Sequence, residues 1–138
     1  MKVMLDSPDA ILPTRAHKKD AGLDLYSTEE KIILPGESAV FDTGVHSELP
    51  PDTYGHMIAK SGLAFKYDIV CIGYAIDEGY TGSIAVKLHN LGKRPYMVLK
   101  KQKIVQLVII PCEKPELEVV ERLEETERGE NGFGSSGM

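Results

Sequence analysis

The chain has no tryptophan and only two cysteines, Cys71 and Cys112, among its 138 residues. Two thiols outside any CxxC pair exclude a disulfide framework and read as a reduced, cytoplasmic protein. No apolar run is long enough to span a membrane, and the longest, around IVQLVII, is broken by Gln106. The opening MKVMLDSPD lacks the apolar core of a signal peptide. Basic residues are the minority, 16 against 21 acidic ones for a net charge of −5. That balance excludes broad nucleic-acid binding, which needs a basic face. It leaves room for a small anion gripped by a few local cations. His17, His46, His56 and His89 are scattered without metal-ligand spacing, which argues against a zinc site.

What is present is a period of two. In SIAVKLHN, Ile84, Val86 and Leu88 share one face while Ser83, Lys87 and His89 share the other, as in a half-buried strand. SAVFDTGV and YGHMIAK read as strands too, bounded by turn chemistry at LPGES and ELPPDTYG. QKIVQLVIIPC is apolar on both faces, as a central strand would be. Many short strands at close spacing predict an all-β sandwich or barrel, with one helical turn over GLAFKY that Ser61 would N-cap. Residues 1–112 form the expected core. From Glu113 the composition turns to charge, EKPELEVVERLEETERGE, and residues 113–138 read as a C-terminal arm of the same unit, either a solvated face or a strap across a neighbouring subunit.

Several stretches carry groups able to do chemistry. In AIDEGYTGSIAV, Asp77 follows an apolar strand end and Tyr80 comes three residues later. The stretch reads either as a plain hairpin turn or as a carboxylate that orients a water beside a ring that faces a sugar. Lys60, Ser61 and Gly62 combine a cation, a hydroxyl and an unhindered N–H, which is an anion site or simply a helix start with a surface lysine. Gln106, set between Val105 and Leu107, staples the core or faces a ligand. Asp24, between two leucines, needs a pairing cation or a metal if buried. The terminal RGENGFGSSG is phosphate-loop-like in composition, with Arg128, Ser135, Ser136 and the odd aromatic Phe133, yet it lacks a Gly-Lys-Ser/Thr ending. Composition alone also fits plain disorder.

In order, AGLDLYS (21–27), AKSGLA (59–64), IGYAIDEGYTGSIAVKLHN (72–90), KKQKIVQL (100–107) and RGENGFGSSG (128–137) resemble the five motifs of the trimeric dUTPase family. The resemblance implies a distorted β-barrel protomer of β-clip or jelly-roll type with a flexible C-terminal arm. It also implies a homotrimer whose active sites are each built from three subunits, Mg²⁺ as cofactor, and hydrolysis of dUTP to dUMP and pyrophosphate. By position, Asp77 is implied as the base that orients water onto the α-phosphorus, and Tyr80 as the ring beneath the deoxyribose. Cys71, Ile72, Gly73 and Tyr74 would read the uracil edge in the hairpin before Asp77. Lys60, Ser61, Gly62, Lys87 and Gln106 would line the substrate site, with Lys60, Ser61 and Gln106 on the phosphates. Asp24 would hold hydrated Mg²⁺ through water. Arg128, Gly134, Ser135 and Ser136 would close on the γ-phosphate while Phe133 stacks on uracil, so that the tail is a lid.

The sequence departs from the family pattern at several positions. Lys60 and Lys103 stand where arginine is usual, which keeps the charge and loses the bidentate fork. Lys101 and Gln102 replace a common Gly-Asp, Tyr74 falls where glycine is frequent, and Gly79 where an acidic residue is frequent. The related dCTP deaminases carry a proton-shuttling glutamate at the place of Lys87, and lysine cannot serve there. A non-catalytic nucleotide-binding scaffold would keep most of these residues but has no need of Asp77.

Overall fold

The alternating pattern of SIAVKLHN becomes a strand in which Val86, Leu88 and Asn90 are buried and Ala85 and Lys87 are exposed. The computed structural model describes residues 1–130. Its strands in chain order are β1 (Lys2–Leu5), β2 (Leu23–Tyr26), β3 (Lys31–Ile33), β4 (Ser38–Asp42), β5 (Val45–Glu48) and β6 (Thr53–Ala59). After α1 (Ser61–Tyr67) come β7 (Ile69–Ile72), β8 (Ala75–Ile76), β9 (Ala85–Asn90), β10 (Tyr96–Val98) and β11 (Lys103–Pro111). Among the described residues, no helix is long and apolar enough to cross a membrane.

Every strand pairing is antiparallel. One sheet runs β2-β11-β6-β8 and a second runs β4-β9-β7, with the pairs β1-β5 and β3-β10 completing the wall. The result is the all-β, distorted β-barrel expected from the strand pattern and the family resemblance. Phe41, Leu25, Ile33, Ile69, Ile84, Leu88, Ile104 and Leu107 fill its interior, each essentially without solvent contact. β11 is the central strand that its sequence announced, paired with β2 on one side and β6 on the other. Its register against β2 shifts between Lys103 and Val105, so the neighbours Ile104 and Val105 are both buried. A bulge of this kind breaks the strict in-out alternation and re-aims the side chains beside it. Lys103 is one of them.

Three local expectations need correcting. Ser61 does not cap α1. Lys60 holds the N-cap position with no side-chain cap, its carbonyl accepts from the N–H groups of Leu63 and Ala64, and Ser61 is the first helical residue. SAVFDTGV is not one strand, because the chain turns at Gly44 between β4 and β5. The stretches around Gly73 and Asp77 are not self-paired hairpins. β7 pairs with β9, β8 pairs with β6, and β9 lies between β4 and β7, so both connections step from one sheet to the other. Period-two patterning identifies strands but says nothing about which neighbours they choose.

Beyond β11, residues 112–130 carry neither strand nor helix. Lys114 ties the start of this segment to Glu78, while Leu117, Val119 and Leu123 are 93%, 99% and 84% exposed.

Candidate active site

Three strands bring the first group of side chains together. Asp24 lies on β2, Lys103 opens β11, and Lys60 follows the last residue of β6. Asp24 is 2% exposed, with Lys60 Nζ 2.5 Å from Oδ1 and Lys103 Nζ 2.8 Å from Oδ2. Burial works to raise the Asp24 carboxyl, but hydrogen bonds and charge from Lys103 and Lys60 outweigh it and hold the group below its ordinary range. Gln106 sits opposite Asp24 in the β11-β2 register, and its Nε2 makes a long 3.5 Å contact to the same Oδ1. Exposed Ser61 and Gly62 follow directly, and as the first residues of α1 their N–H groups lie outside the intrahelical ladder. One carboxylate against two ammonium groups leaves a single excess positive charge. A buried carboxylate that pre-aligns two lysines is an arrangement chemically able to receive an anion.

That arrangement argues against Asp24 as a direct Mg²⁺ ligand, since both of its oxygens already accept from lysines. Contact through a metal-bound water, the role implied for it, needs only the second lone pair that each oxygen keeps. Among the described residues no group of three or more His, Cys, Asp or Glu side chains could hold a metal ion.

The second group lies on the connections that leave β7 and β8. Asp77 follows β8, is exposed, and its carboxylate forms no hydrogen bond or ion pair among the described residues. The neighbouring Glu78 is engaged: Lys114 bonds its Oε2, which also accepts the Asp52 N–H at 3.1 Å. Asp77 borders a cleft of about 710 Å³ that it shares with Leu49, Tyr54 and Lys114. Tyr80 folds back over Gly82, where an added Cβ would come within 2.5 Å of the phenolic oxygen, and its hydroxyl donates to the Ser83 carbonyl at 2.9 Å. The missing Cβ of Gly82 leaves that space to the Tyr80 hydroxyl and the adjoining ring edge. Ile72, Gly73 and Tyr74 are exposed, and the Tyr74 carbonyl accepts from Met57 N–H at 2.8 Å.

Cys71 departs from this set. Its side chain is 1% exposed in the core, and burial pushes its thiol up to about 11, so it behaves as a small apolar residue. Lys87 is exposed on β9 opposite Ile72 and Val40. Arg128 is exposed within the turn that the Gly129 N–H closes on the Thr126 carbonyl, and Phe133, Gly134, Ser135 and Ser136 fall outside the described residues. A further cleft of about 660 Å³ between Lys66 and Tyr96 contains none of these residues.

Asp77 and the Lys60–Asp24–Lys103 cluster do not meet within one chain. β8 pairs with β6 at Gly55 and Ile76, so Asp77 sits near the start of β6, whereas Lys60 follows its end. Five residues of extended strand separate Gly55 from Lys60, which is about 17 Å at ~3.3 Å per residue. Sequence reasoning had noted Lys103 only as a departure from arginine. The signal that places it in the site is a buried Asp24 that needs a second cation.

The family model for dUTPase matches residues 8–137. The deoxyuridine 5′-triphosphate nucleotidohydrolase of Clostridium acetobutylicum is 46% identical over 140 aligned residues, covering all of this chain and 97% of that protein. Its counterpart in Clostridioides difficile is 43% identical over all of this chain and 98% of its own length. Among solved structures, a variant of the Staphylococcus bacteriophage 80alpha dUTPase with dUpNHpp superposes with a TM-score of 0.93 at 33% identity, covering 99% of this chain and 98% of that one. A variant of the dUTPase of S. aureus phage phi11, described as revealing the coordination of a structural Mg(II) ion, superposes at 0.83 with 31% identity over 90% and 98% of the two chains. With the barrel strands and the lysine-held carboxylate in place and the match running nearly end to end, the chain belongs to the dUTPase family.

Proposed function

We propose that this chain hydrolyses dUTP to dUMP and pyrophosphate by attack of water on the α-phosphorus, as a homotrimer with sites shared between subunits. Such an activity limits uracil in DNA and supplies dUMP. The observation that carries the reading is Asp77: a carboxylate with no partner among the described residues, beside a cleft, while adjacent Glu78 is spent on Lys114. A carboxylate with no partner is free to take a proton from water, and a pure nucleotide binder would have no use for it.

In this reading Lys60, Ser61, Gly62 and Gln106 receive the phosphates, with Lys103 adding charge through the Asp24 network. Phosphoryl chemistry depends on positioning and charge stabilisation, which is what two fixed ammonium groups supply. Tyr80, packed against Gly82 and tied to the Ser83 carbonyl, takes the deoxyribose face and leaves no room for a 2′-hydroxyl. The exposed turn at Gly73 and Tyr74, flanked by Ile72 and Lys87, takes the base, while Cys71 supports it from the core. Arg128 and the terminal Phe133, Gly134, Ser135 and Ser136 close over the triphosphate. A Mg²⁺ ion arriving with the nucleotide would supply charge neutralisation at the phosphates, with Asp24 reaching it only through a bound water. The separation of Asp77 from Lys60 along β6 supports sharing, since a nucleotide must meet both.

Release of pyrophosphate from dUTP, dCTP, dTTP and UTP with Mg²⁺, with ammonia followed in parallel, tests the reading. Pyrophosphate from dUTP alone is expected. Ammonia from dCTP would move the chain to the deaminases, and no product from any of the four would leave a binding role.

A further inference from the structure

Both ring nitrogens of His46 face acceptors. Nε2 lies 2.9 Å from Asp6 Oδ2, and Nδ1 lies 2.8 Å from the Thr81 carbonyl oxygen. A neutral imidazole has one N–H and can serve only one of these, whereas the imidazolium donates to both. Thr81 belongs to the connection between Asp77 and β9 and immediately follows Tyr80. Two residues on, Ser83 Oγ donates to Asp42 Oδ1 at 2.5 Å, and that oxygen also accepts the Gly44 N–H at 3.0 Å. Gly44 joins the two anchors. Its carbonyl accepts from Asp6 N–H at 3.0 Å, its φ is +63°, and a Cβ there would come within 2.8 Å of Asp6 Oδ1. The segment that carries Tyr80 is therefore pinned by Asp42 directly and by Asp6 through His46.

We propose that the His46 imidazolium is a positioning residue for dUTP hydrolysis, bridging Asp6 and the Thr81 carbonyl so that the Tyr80 ring is held to receive the substrate sugar. This rests on the role given to Tyr80 above. His46 touches no reacting atom in that scheme and acts through Thr81. The charged groups around it are Asp6 after β1, Asp42 at the end of β4, and the Lys2–Glu48 pair in the same groove, whose charges offset each other at 2.7 Å. Hydrogen bonding to Asp6 and then to Thr81 raises the imidazole above its ordinary value against the opposing effect of burial. The bridge is thus complete below the ordinary histidine value of about 6.5 and opens as pH rises through the raised one.

The test is KM and kcat for dUTP from about pH 6 to 9 in wild type, His46→Gln and Asp6→Asn, with the imidazole titration followed by NMR in the intact assembly. The expected result is a several-fold rise in wild-type KM across the His46 titration, with kcat changing less. That inflection is absent in His46→Gln and moves to lower pH in Asp6→Asn together with the NMR titration. Titration of dUTP itself is common to all three proteins and cancels. KM profiles that superimpose in wild type and Asp6→Asn overturn the proposal, even if His46→Gln fails to fold. A wild type that does not hydrolyse dUTP overturns the activity reading first, and this role with it.

Discussion

Asp77 and Glu78 are consecutive carboxylates with opposite circumstances, one without a partner among the described residues and the other held by Lys114 and the Asp52 N–H. Asp77→Asn keeps the shape and removes the base, so turnover of dUTP should fall by about 10²–10⁴ with the fold intact. Pyrophosphate release and circular dichroism on the same preparation check this, and unchanged turnover would remove Asp77 from the mechanism. Gly82→Ala sets a methyl where the Tyr80 ring lies, so it should raise KM for dUTP far more than it lowers stability. The sequence made Asp77, Tyr80 and a costly buried Asp24 visible because each is a residue type out of place in its local pattern. It did not show what Asp24 pairs with, since Lys60 and Lys103 are 36 and 79 positions away in the chain. Nor did it single out His46, whose role depends on Asp6 and Thr81 arriving from separate elements.

Elements decide how much of this survives a change of conditions. The Asp24 network joins β2, the end of β6 and the bulged start of β11, so its charge state acts on the whole four-stranded sheet. Asp24 titrates below its ordinary value of about 3.9, so its contribution is complete above that pH and is lost as pH falls through the lower, folded value. Lys103→Met should therefore move the midpoint of acid unfolding, followed by circular dichroism, to higher pH. An unmoved midpoint would mean that the pair adds nothing to the sheet. In the second sheet, Phe41 on β4 is fully buried opposite Val86 on β9. Phe41→Ala should cost about 3–5 kcal/mol in denaturant unfolding, since the cavity cannot collapse between paired strands. The strands themselves were legible from alternation in β9 and from turn residues after β3 and β5. The bulge in β11, the break at Gly44 and the crossing of Asp77's connection between sheets were not, because each is settled by a partner distant in sequence.

At the scale of the molecule, one chain holds Asp77 and the Lys60 cluster about 17 Å apart along β6, at ~3.3 Å per residue of strand. It also carries a segment after β11 whose Leu117, Val119 and Leu123 have almost no contact with their own chain. Apolar side chains left bare in this way find their cover on another surface, and a neighbouring subunit would supply it. Deleting residues 128–138 removes Arg128 and the terminal glycines without touching any strand among the described residues, so the truncated chain should remain folded with greatly reduced activity. Full activity in that truncation, assayed by pyrophosphate release, would refute the lid.

The most direct test uses two inactive chains, Asp77→Asn and Lys60→Ala, carried on different affinity tags, co-expressed, and purified through both tags. If one subunit supplies Asp77 and its neighbour supplies Lys60, every mixed cyclic trimer contains one intact site, and dUTP hydrolysis should return to roughly one third of wild type. Mixed assemblies as silent as either parent would place both residues in the same chain's site and contradict the shared active centre.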